Sequence, residues 1–373
     1  MSKARGLADL GNKTSLDEIN DAYDAGAFSN RNLIINGAMQ VAQRGTSVTG
    51  VSDSGYYVCD RWQYRNGSAG TGQEATHEQS TDAPSGFQNS YKVSCTVADA
   101  TPLASENESL SYKLEGYDLS QLDYGTSSAK TVTLSFWVKS TVTGAYGVQF
   151  FNSSSYSSLK SYSISSASTW EYKTIQLDGD TINAFPSGNV LALSILFHLA
   201  CGPDDITSEY EWTSETGFKS VTGQANVFAT TSDTFQITGV QLEVGDTATP
   251  FEHRSYGQEL ALCQRYYHRL QGNASDQTEL GIGYAFGTSS VVIDYAYPTT
   301  MRSSPTISES GVECLISGVS FAAASLNATV DPSIHKVGVS FGADAGTPFT
   351  TNRVCKARLA IDATAFLAFD AEL

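Results

Sequence analysis

The side chains in this chain best suited to chemistry are of the non-covalent kind: planar aromatic rings spread through a sequence rich in amides and hydroxyls. Trp and Tyr faces stack on the apolar face of a pyranose while Asn, Gln and Asp satisfy its hydroxyls, so sugar binding is the chemistry these types support. The candidates are Trp62, Tyr146, Phe151, Tyr156, Tyr162, Trp170, Tyr210 and Trp212, with Tyr284, Tyr295 and Tyr297 further on. Those taken forward as glycan contacts are Trp62, Tyr156, Trp170, Tyr210, Trp212 and Tyr295. The acidic stretch from Asp204 to Glu215, which contains Tyr210 and Trp212, reads as a solvated loop, as a cation-binding loop or as a loop presenting aromatics to a ligand.

Covalent chemistry finds no comparable footing. The chain has no G-x-S-x-G, no H-E-x-x-H, no Walker loop and no C-x-x-C. Gly281, Gly283 and Gly287 lack the spacing and context of a dinucleotide site. The histidines His77, His198, His253, His268 and His335 are isolated from one another and read as structural. Acidic residues are plentiful, and two carboxylates need only the right separation in space to cleave a glycoside, but no particular pair is indicated. The expectation is a binding protein, not an enzyme, with no catalytic residues. Cys59, Cys95, Cys201, Cys263, Cys314 and Cys355 are scattered, as expected of free, mostly buried thiols made in a reducing cytoplasm.

Bulk composition narrows the partners. There are 39 acidic and 22 basic residues, giving a net charge of −17 that repels a phosphate backbone, so nucleic acid is not an expected partner. No stretch approaches the length of apolar chain that crosses a bilayer, and the start lacks a signal-peptide core, so neither membrane insertion nor secretion is expected.

The elements that must position the aromatics are mostly strands. Low charge, 16%, with abundant Gly, Ser, Thr and Val is an all-β composition with many turns. Residues 1–31 differ. Ser15-Leu16-Asp17-Glu18 is a capping box, and Leu16, Ile19 and Tyr23 share one face of a short helix that either packs on its own domain or anchors the protein to an assembly. Leu7 and Leu10, in the lead before it, complete the candidate anchoring set.

From 32 to 252, Val132, Leu134, Phe136 and Val138 alternate with polar neighbours, and only Trp137 breaks the polar side. Further runs are Val148 to Phe151, Glu171 to Leu177, Val190 to Ala200 and Thr234 to Val244; the last shifts phase across Gly239, as a β-bulge requires. These runs describe a two-sheet antiparallel sandwich of about 200 residues. Ser255-Tyr256-Gly257-Gln258 then opens a second capping box, and Tyr256, Leu260, Cys263, Tyr267 and Leu270 form a stripe that predicts a connecting helix over 253–272. Runs Val291 to Tyr297, Val312 to Val319, His335 to Phe341 and Ala357 to Ala368 make 273–373 a second, smaller β domain.

Two long strings resemble a known module. Asn32-Leu33-Ile34-Ile35-Asn36-Gly37-Ala38-Met39-Gln40, followed by Gln43-Arg44-Gly45-Thr46 and Asp60-Arg61-Trp62, resembles the opening of a module common in phage tail-fibre and other virion appendage proteins. Ile237-Thr238-Gly239-Val240-Gln241-Leu242-Glu243-Val244-Gly245, running through Thr249-Pro250-Phe251-Glu252-His253-Arg254-Ser255-Tyr256 to Cys263-Gln264-Arg265-Tyr266-Tyr267, is similar to its close. Thr300-Met301-Arg302-Ser303-Ser304-Pro305-Thr306 extends the likeness more weakly.

The resemblance implies a jelly-roll module similar to carbohydrate-binding domains, with the two strings near each other at the sandwich edge. It implies no cofactor beyond a structural calcium ion, for which Asn36 and Glu243 are the candidate ligands, although no acidic residue adjoins Asn36. It also implies a virion location, after synthesis in the host cytoplasm. The expected function is a tail fibre or fibre-like appendage docked to other virion proteins by its N-terminus. It would bind host cell-surface polysaccharide as a homo-oligomer, a trimer by family habit, because weak sugar contacts gain from multivalency. The alternatives are a head, neck or tail adaptor with no receptor role, and a polysaccharide depolymerase.

Overall fold

The computed structural model describes residues 30–67, 72–153, 156–215, 217–285, 290–316, 319–330, 333–343 and 353–373. The anchoring candidates Leu7, Leu10, Leu16, Ile19 and Tyr23 lie outside the described residues. The chain is all-β and divides into two compact units, one reaching Glu259 and taking in Leu373, the other spanning Leu260–Glu372.

In chain order the first unit contains β1 (Ser47–Val51), β2 (Gly55–Tyr56), β3 (Trp62–Asn66), β4 (Glu74–Ser80), β5 (Ser90–Val97) and β6 (Asn107–Glu115). The one-turn helix α1 (Gly116–Leu119) follows, then β7 (Val132–Ser140), β8 (Gly144–Asn152), β9 (Tyr156–Ile164), β10 (Glu171–Leu177) and β11 (Leu191–Cys201). The unit closes with β12 (Ile206–Thr207), β13 (Tyr210–Thr213), β14 (Ser220–Val221) and β15 (Thr234–Val244). One sheet has six strands in the order β1-β4-β5-β15-β7-β10 and the other seven, β13-β9-β8-β11-β6-β3-β2. Every pairing within these two sheets is antiparallel. The result is an antiparallel jelly-roll sandwich, in which strict alternation along each strand sends one set of side chains inward and the other outward.

The inward set is the core. Trp62 packs on Tyr112 and Phe197 with ring centroids 5.2 and 6.0 Å apart, and Phe136 meets Phe197 at 5.2 Å and Tyr162 at 5.0 Å. Burying each such side chain is worth about 1.5–3 kcal/mol, so this cluster holds the sheets together. The pairing of β15 with β7 shifts register between Thr238 and Gln241, and Gly239 sits in the bulge at φ 61°. A Cβ there would lie 2.6 Å from the Phe87 ring, so both the backbone twist and the close approach require glycine.

The helix α2 (Tyr256–Gln264) starts with the reciprocal capping box expected of Ser255 and Gln258: the Gln258 N–H donates to Ser255 Oγ at 3.4 Å, and the Ser255 N–H to Gln258 Oε1 at 3.1 Å. It is shorter than the predicted 253–272. Tyr267 and Leu270 instead belong to β16 (Tyr267–Gln271), because this segment pairs along its whole length with the strand at Phe366–Asp370. Hydrogen bonds to a partner strand override a helical stripe that no cap closes at the far end.

The second unit continues with β17 (Thr278–Ala285), β18 (Ser290–Ala296), β19 (Thr306–Ser310), β20 (Val312–Ile316), β21 (Val319–Val330), β22 (Lys336–Ala343), β23 (Val354–Leu359) and β24 (Phe366–Asp370). Six of these close a barrel in the order β17-β18-β22-β21-β20-β23, and β16, β24 and β19 form a separate three-stranded sheet. All six cysteines are free, Cys201 being half-buried and the others buried. Among the described residues no helix is long and apolar enough to cross a membrane.

Candidate functional site

Aromatic rings on the outward set of the sandwich are free to meet a ligand. On the six-stranded sheet, β7 and β10 pair so that Trp137 lies opposite Tyr172. Their rings stand side by side with centroids 5.3 Å apart; Trp137 is half-buried and Tyr172 43% exposed. The two ring planes are inclined at 50°, so the pair presents an angled aromatic surface on one sheet face, about the size of one or two sugar rings.

Trp170, placed just before β10, belongs to the same face. Its Nε1–H donates to Asp82 Oδ1 at 3.2 Å, Lys139 donates to Asp82 Oδ2 at 2.7 Å, and the Lys139 ammonium lies 5.9 Å from the Trp170 ring centroid. Partial burial pushes the Asp82 carboxyl up, but the bonds from Lys139 and Trp170 and the nearby lysine charges outweigh it and hold its pKa below the ordinary value. The turn that carries Trp170 is pinned by Glu171, whose Oε1 accepts the Ser165 and Ser166 N–H groups at 2.9 and 2.8 Å while Lys173 donates to Oε2 at 2.6 Å. Opposite it, the Asp82 turn is held by Ser90 Oγ donating to the Asp82 carbonyl at 2.7 Å. The site therefore joins two planar apolar faces to a carboxylate, an ammonium and an indole in fixed positions.

The other sequence candidates are dispersed. Trp62 is corrected: it is fully buried beneath Tyr112 and Phe197, with its Nε1–H donating to the Asn36 carbonyl at 3.2 Å, so it holds the core and meets no ligand. Tyr146 and Tyr162, from the wider set, are likewise buried and stack on each other at 5.5 Å. Tyr210 and Trp212 sit on β13. The Tyr210 hydroxyl bonds Gln149 Nε2 and Ser157 Oγ at 3.0 Å each, and Trp212 packs edge-on against Tyr124 at 5.8 Å with its Nε1–H on the Asp178 carbonyl. Both are half-buried and occupied by structural partners. Tyr156 is half-buried at the start of β9, opposite Asn152.

Tyr295 lies in the second unit, stacked on Phe369 at 5.0 Å and bonded through its hydroxyl to His268 Nε2 at 2.7 Å. Of the six, only Trp170 joins the platform. Trp137 and Tyr172 were not among the candidates, although the signal for Trp137 was present: it is the one apolar residue on the polar side of its strand.

The two strings that carry the family resemblance form a seam. The Leu33 N–H donates to the Leu242 carbonyl at 2.9 Å, the Leu242 N–H to Asn32 Oδ1 at 3.1 Å, and the Val240 N–H to the Gly37 carbonyl at 3.0 Å. A Cβ on Gly37 would stand 2.1 Å from the Val240 carbonyl oxygen, so only glycine lets the opening lie this close to β15. Glu259 accepts the Asn36 N–H at 2.6 Å and pairs with Arg254, which also donates to the Ile34 carbonyl at 3.0 Å.

The calcium ligands implied by the resemblance do not fit an ion here. Asn36 Oδ1 accepts the Val41 N–H at 2.9 Å, and its amide donates to the Val41 and Asp60 carbonyls at 2.8 and 2.9 Å. Glu243 accepts Gln241 Nε2 at 2.8 Å, the Thr249 N–H at 2.9 Å and Thr249 Oγ1 at 2.5 Å, with Arg31 Nε at 3.7 Å. Their oxygens are taken by protein donors, and among the described residues no group of three His, Cys, Asp or Glu side chains is arranged to hold a metal.

No family model matches the chain, and no curated protein matches it in sequence. Solved structures similar to it include the enzymatically active domain of tailspike protein 4 of bacteriophage CBA120, at 11% identity over 57% of this chain with a TM-score of 0.29. The chain spans 21% of that tailspike domain. The family 11 carbohydrate-binding module of a cellulosomal cellulase of Clostridium thermocellum is 15% identical over 54% of this chain and 98% of the module, with a TM-score of 0.27. The C-terminal family 22 carbohydrate-binding module of Clostridium thermocellum Xyn10B is 12% identical over 55% of this chain and 98% of the module, also with a TM-score of 0.27. At these scores the sandwich stands on its own strand order.

Proposed function

We propose that the protein is a non-enzymatic, glycan-binding appendage of a phage virion, which holds host surface polysaccharide on the Trp137–Tyr172–Trp170 platform. The observation that carries the reading is the in-register pair Trp137 and Tyr172 on the outer face of the six-stranded sheet. Asp82 and Lys139 beside Trp170 are placed to fix a sugar's orientation through its hydroxyls. The opening and closing strings, which resemble those of virion appendage proteins, support the phage assignment.

The test is binding of the full-length protein to host polysaccharide by titration calorimetry. Trp137→Ala is expected to weaken binding by about thirtyfold, a hot-spot loss of about 2 kcal/mol, and Tyr172→Ala by somewhat less. Wild-type affinity in both variants overturns the platform, and release of reducing ends from the polysaccharide would make the protein a depolymerase.

A second reading, an adaptor that contacts virion neighbours, is favoured by an apolar patch on the barrel. Ile282 and Tyr284 on β17 and Val354 on β23 are 70%, 50% and 70% exposed, with Tyr284 opposite Val354.

A further inference from the structure

The outer face of the six-stranded sheet carries a second group of rings beside the platform. β15 lies next to β7, and Thr238 on β15 stands opposite Trp137. The loop joining β4 to β5 covers this point: Thr238 Oγ1 donates to the Asn89 carbonyl at 2.7 Å, and the Phe87 ring sits over Gly239. The chain after β15 folds back onto the same face, where the Glu252 N–H donates to Gln241 Oε1 at 2.8 Å. Phe251 and His253, on either side of Glu252, thereby reach Phe87.

The three rings form a closed triangle, with centroids 5.0 Å apart for Phe87 and Phe251, 5.4 Å for Phe87 and His253, and 4.9 Å for Phe251 and His253. Phe87 and Phe251 are half-buried and His253 is exposed. Packing accounts for Phe87, which fills the space that Gly239 leaves, but it does not call for an imidazole in water at the edge of the triangle. His253 offers a ligand one open ring, and no described residue bonds its two nitrogens.

Two observations tie the triangle to the platform. Tyr172, Trp137 and Thr238 occupy three neighbouring strands, β10, β7 and β15, so strand spacing places the triangle about 5–10 Å across the sheet from Trp137. The loop that carries Phe87 also carries Asp82, which bonds Trp170 and Lys139 at the platform's edge. Platform and triangle are therefore two aromatic patches on one face of one sheet, joined through one loop.

We propose that the Phe87–Phe251–His253 triangle is a second sugar-contacting subsite, so that the protein takes an extended run of several sugar units across the sheet instead of a single unit. That the ligand is a glycan rests on the reading above; the second subsite rests on the continuity of the triangle with the platform. His253 meets the sugar through its ring and its nitrogens, while Phe87 and Phe251 hold the imidazole in place. Two weak contacts on one chain reinforce each other, because the second forms within the complex that the first has made.

The test is titration calorimetry of the full-length protein with host surface polysaccharide and with fragments of it two and six sugar units long, made by partial acid hydrolysis and size fractionation. The six-unit fragment is expected to bind at least about tenfold more tightly than the two-unit fragment. His253→Ala, at an exposed position, is expected to weaken the six-unit fragment about fivefold and to leave the two-unit fragment, which Trp137 and Tyr172 hold, unchanged. Phe87→Leu, which keeps apolar packing over Gly239, is expected to act in the same direction. Tyr117→Ala, which removes a ring 66% exposed on α1, should change neither affinity. Equal affinity of the wild type for the two fragments, wild-type affinity for the six-unit fragment in both His253→Ala and Phe87→Leu, or an equal loss at both lengths in His253→Ala would overturn the subsite and leave the platform standing. Failure of the folded wild-type protein to bind the polysaccharide at all would overturn the glycan reading and the subsite with it.

Discussion

The two outer faces of the sandwich follow the same rule of alternation and end in opposite states. On the six-stranded sheet, aromatic rings at Trp137 and Tyr172 stand beside each other in partial contact with water, and the charged groups near them, Asp82, Lys139, Glu171 and Lys173, are paired. On the seven-stranded sheet Arg65, Ser109 and His198 lie in register across β3, β6 and β11, Ser109 and His198 are fully buried, and among the described residues Ser109 Oγ and both His198 ring nitrogens have no hydrogen-bond partner. Packing demands neither arrangement. An exposed ring gives up burial that the core would have supplied, and a sealed hydroxyl gives up hydrogen bonds that water would have supplied. Both arrangements cost free energy relative to a ring sealed in the core or a hydroxyl in water, and on the first face the stacking proposed for a sugar would offset it.

The sharpest way to break this comparison uses the same residue type on two sides of one sandwich. Trp62→Ala empties a fully buried site between Tyr112 and Phe197 and is expected to destabilise the fold by about 3–5 kcal/mol. The folded fraction should still bind polysaccharide with wild-type affinity. Trp137→Ala should do the reverse, leaving the urea midpoint nearly unchanged while binding falls. If Trp62→Ala weakened binding per folded molecule, or if Trp137→Ala unfolded the sandwich, the division between inner scaffold and outer platform would be lost.

The second face is sharpened by pH. His198 has its pKa lowered from 6.5 to about 3, chiefly by burial, so the native state resists taking up the proton that the unfolded chain accepts. The contribution is therefore neutral above pH 6.5 and destabilising below it, growing as pH falls towards 3. His77, similarly lowered to about 3, and His268, to about 4, act in the same direction. Replacing His198 with Gln, which does not titrate, is expected to flatten the loss of stability between pH 6.5 and 4 relative to wild type. Parallel stability–pH curves from urea denaturation would show that the imidazole is not held neutral.

Much of the scaffold was legible in the sequence. The runs Glu171 to Leu177 and Thr234 to Val244 are β10 and β15 residue for residue, and the phase change at Gly239 is the bulge, because alternation is a local property that burial merely enforces. The capping box at Ser255 was legible for the same reason. The far end of that helix was not: the stripe through Tyr267 and Leu270 fits a helix, and only the distant partner at Phe366–Asp370 turns it into a strand. Likewise Ala357 to Ala368, one apolar run, is divided between β23 and β24, which belong to different sheets.

The site was read less well, because an aromatic side chain does not declare its exposure. Trp62 and Trp170 look equivalent in sequence, yet one is sealed in the core and the other bonds Asp82 at the surface. Trp137 was visible as an exception to its strand's polar side. Tyr172 becomes meaningful only through the register that sets it opposite Trp137, and the Arg65–Ser109–His198 row only through pairings across 133 residues of chain.

The smallest expected effect concerns the edge of the platform. Asp82 is held ionised by Lys139 and Trp170, and its pKa lies below the ordinary value, so the stability it contributes is present above the unfolded carboxyl's pKa and is lost as pH falls through the lower folded value. The carboxylate is largely exposed and the pair is screened, so Asp82→Asn is expected to change global stability by less than about 1 kcal/mol. Its effect should appear in binding, because the neutral amide no longer anchors both the Lys139 ammonium and the Trp170 indole. A loss of about threefold in polysaccharide affinity at pH 7 is expected, together with a flatter dependence of binding on pH below 5 than in wild type. If Asp82→Asn binds as tightly as wild type at every pH, then Asp82 and Lys139 merely fasten the turn at Trp170, and the platform consists of Trp137 and Tyr172 alone.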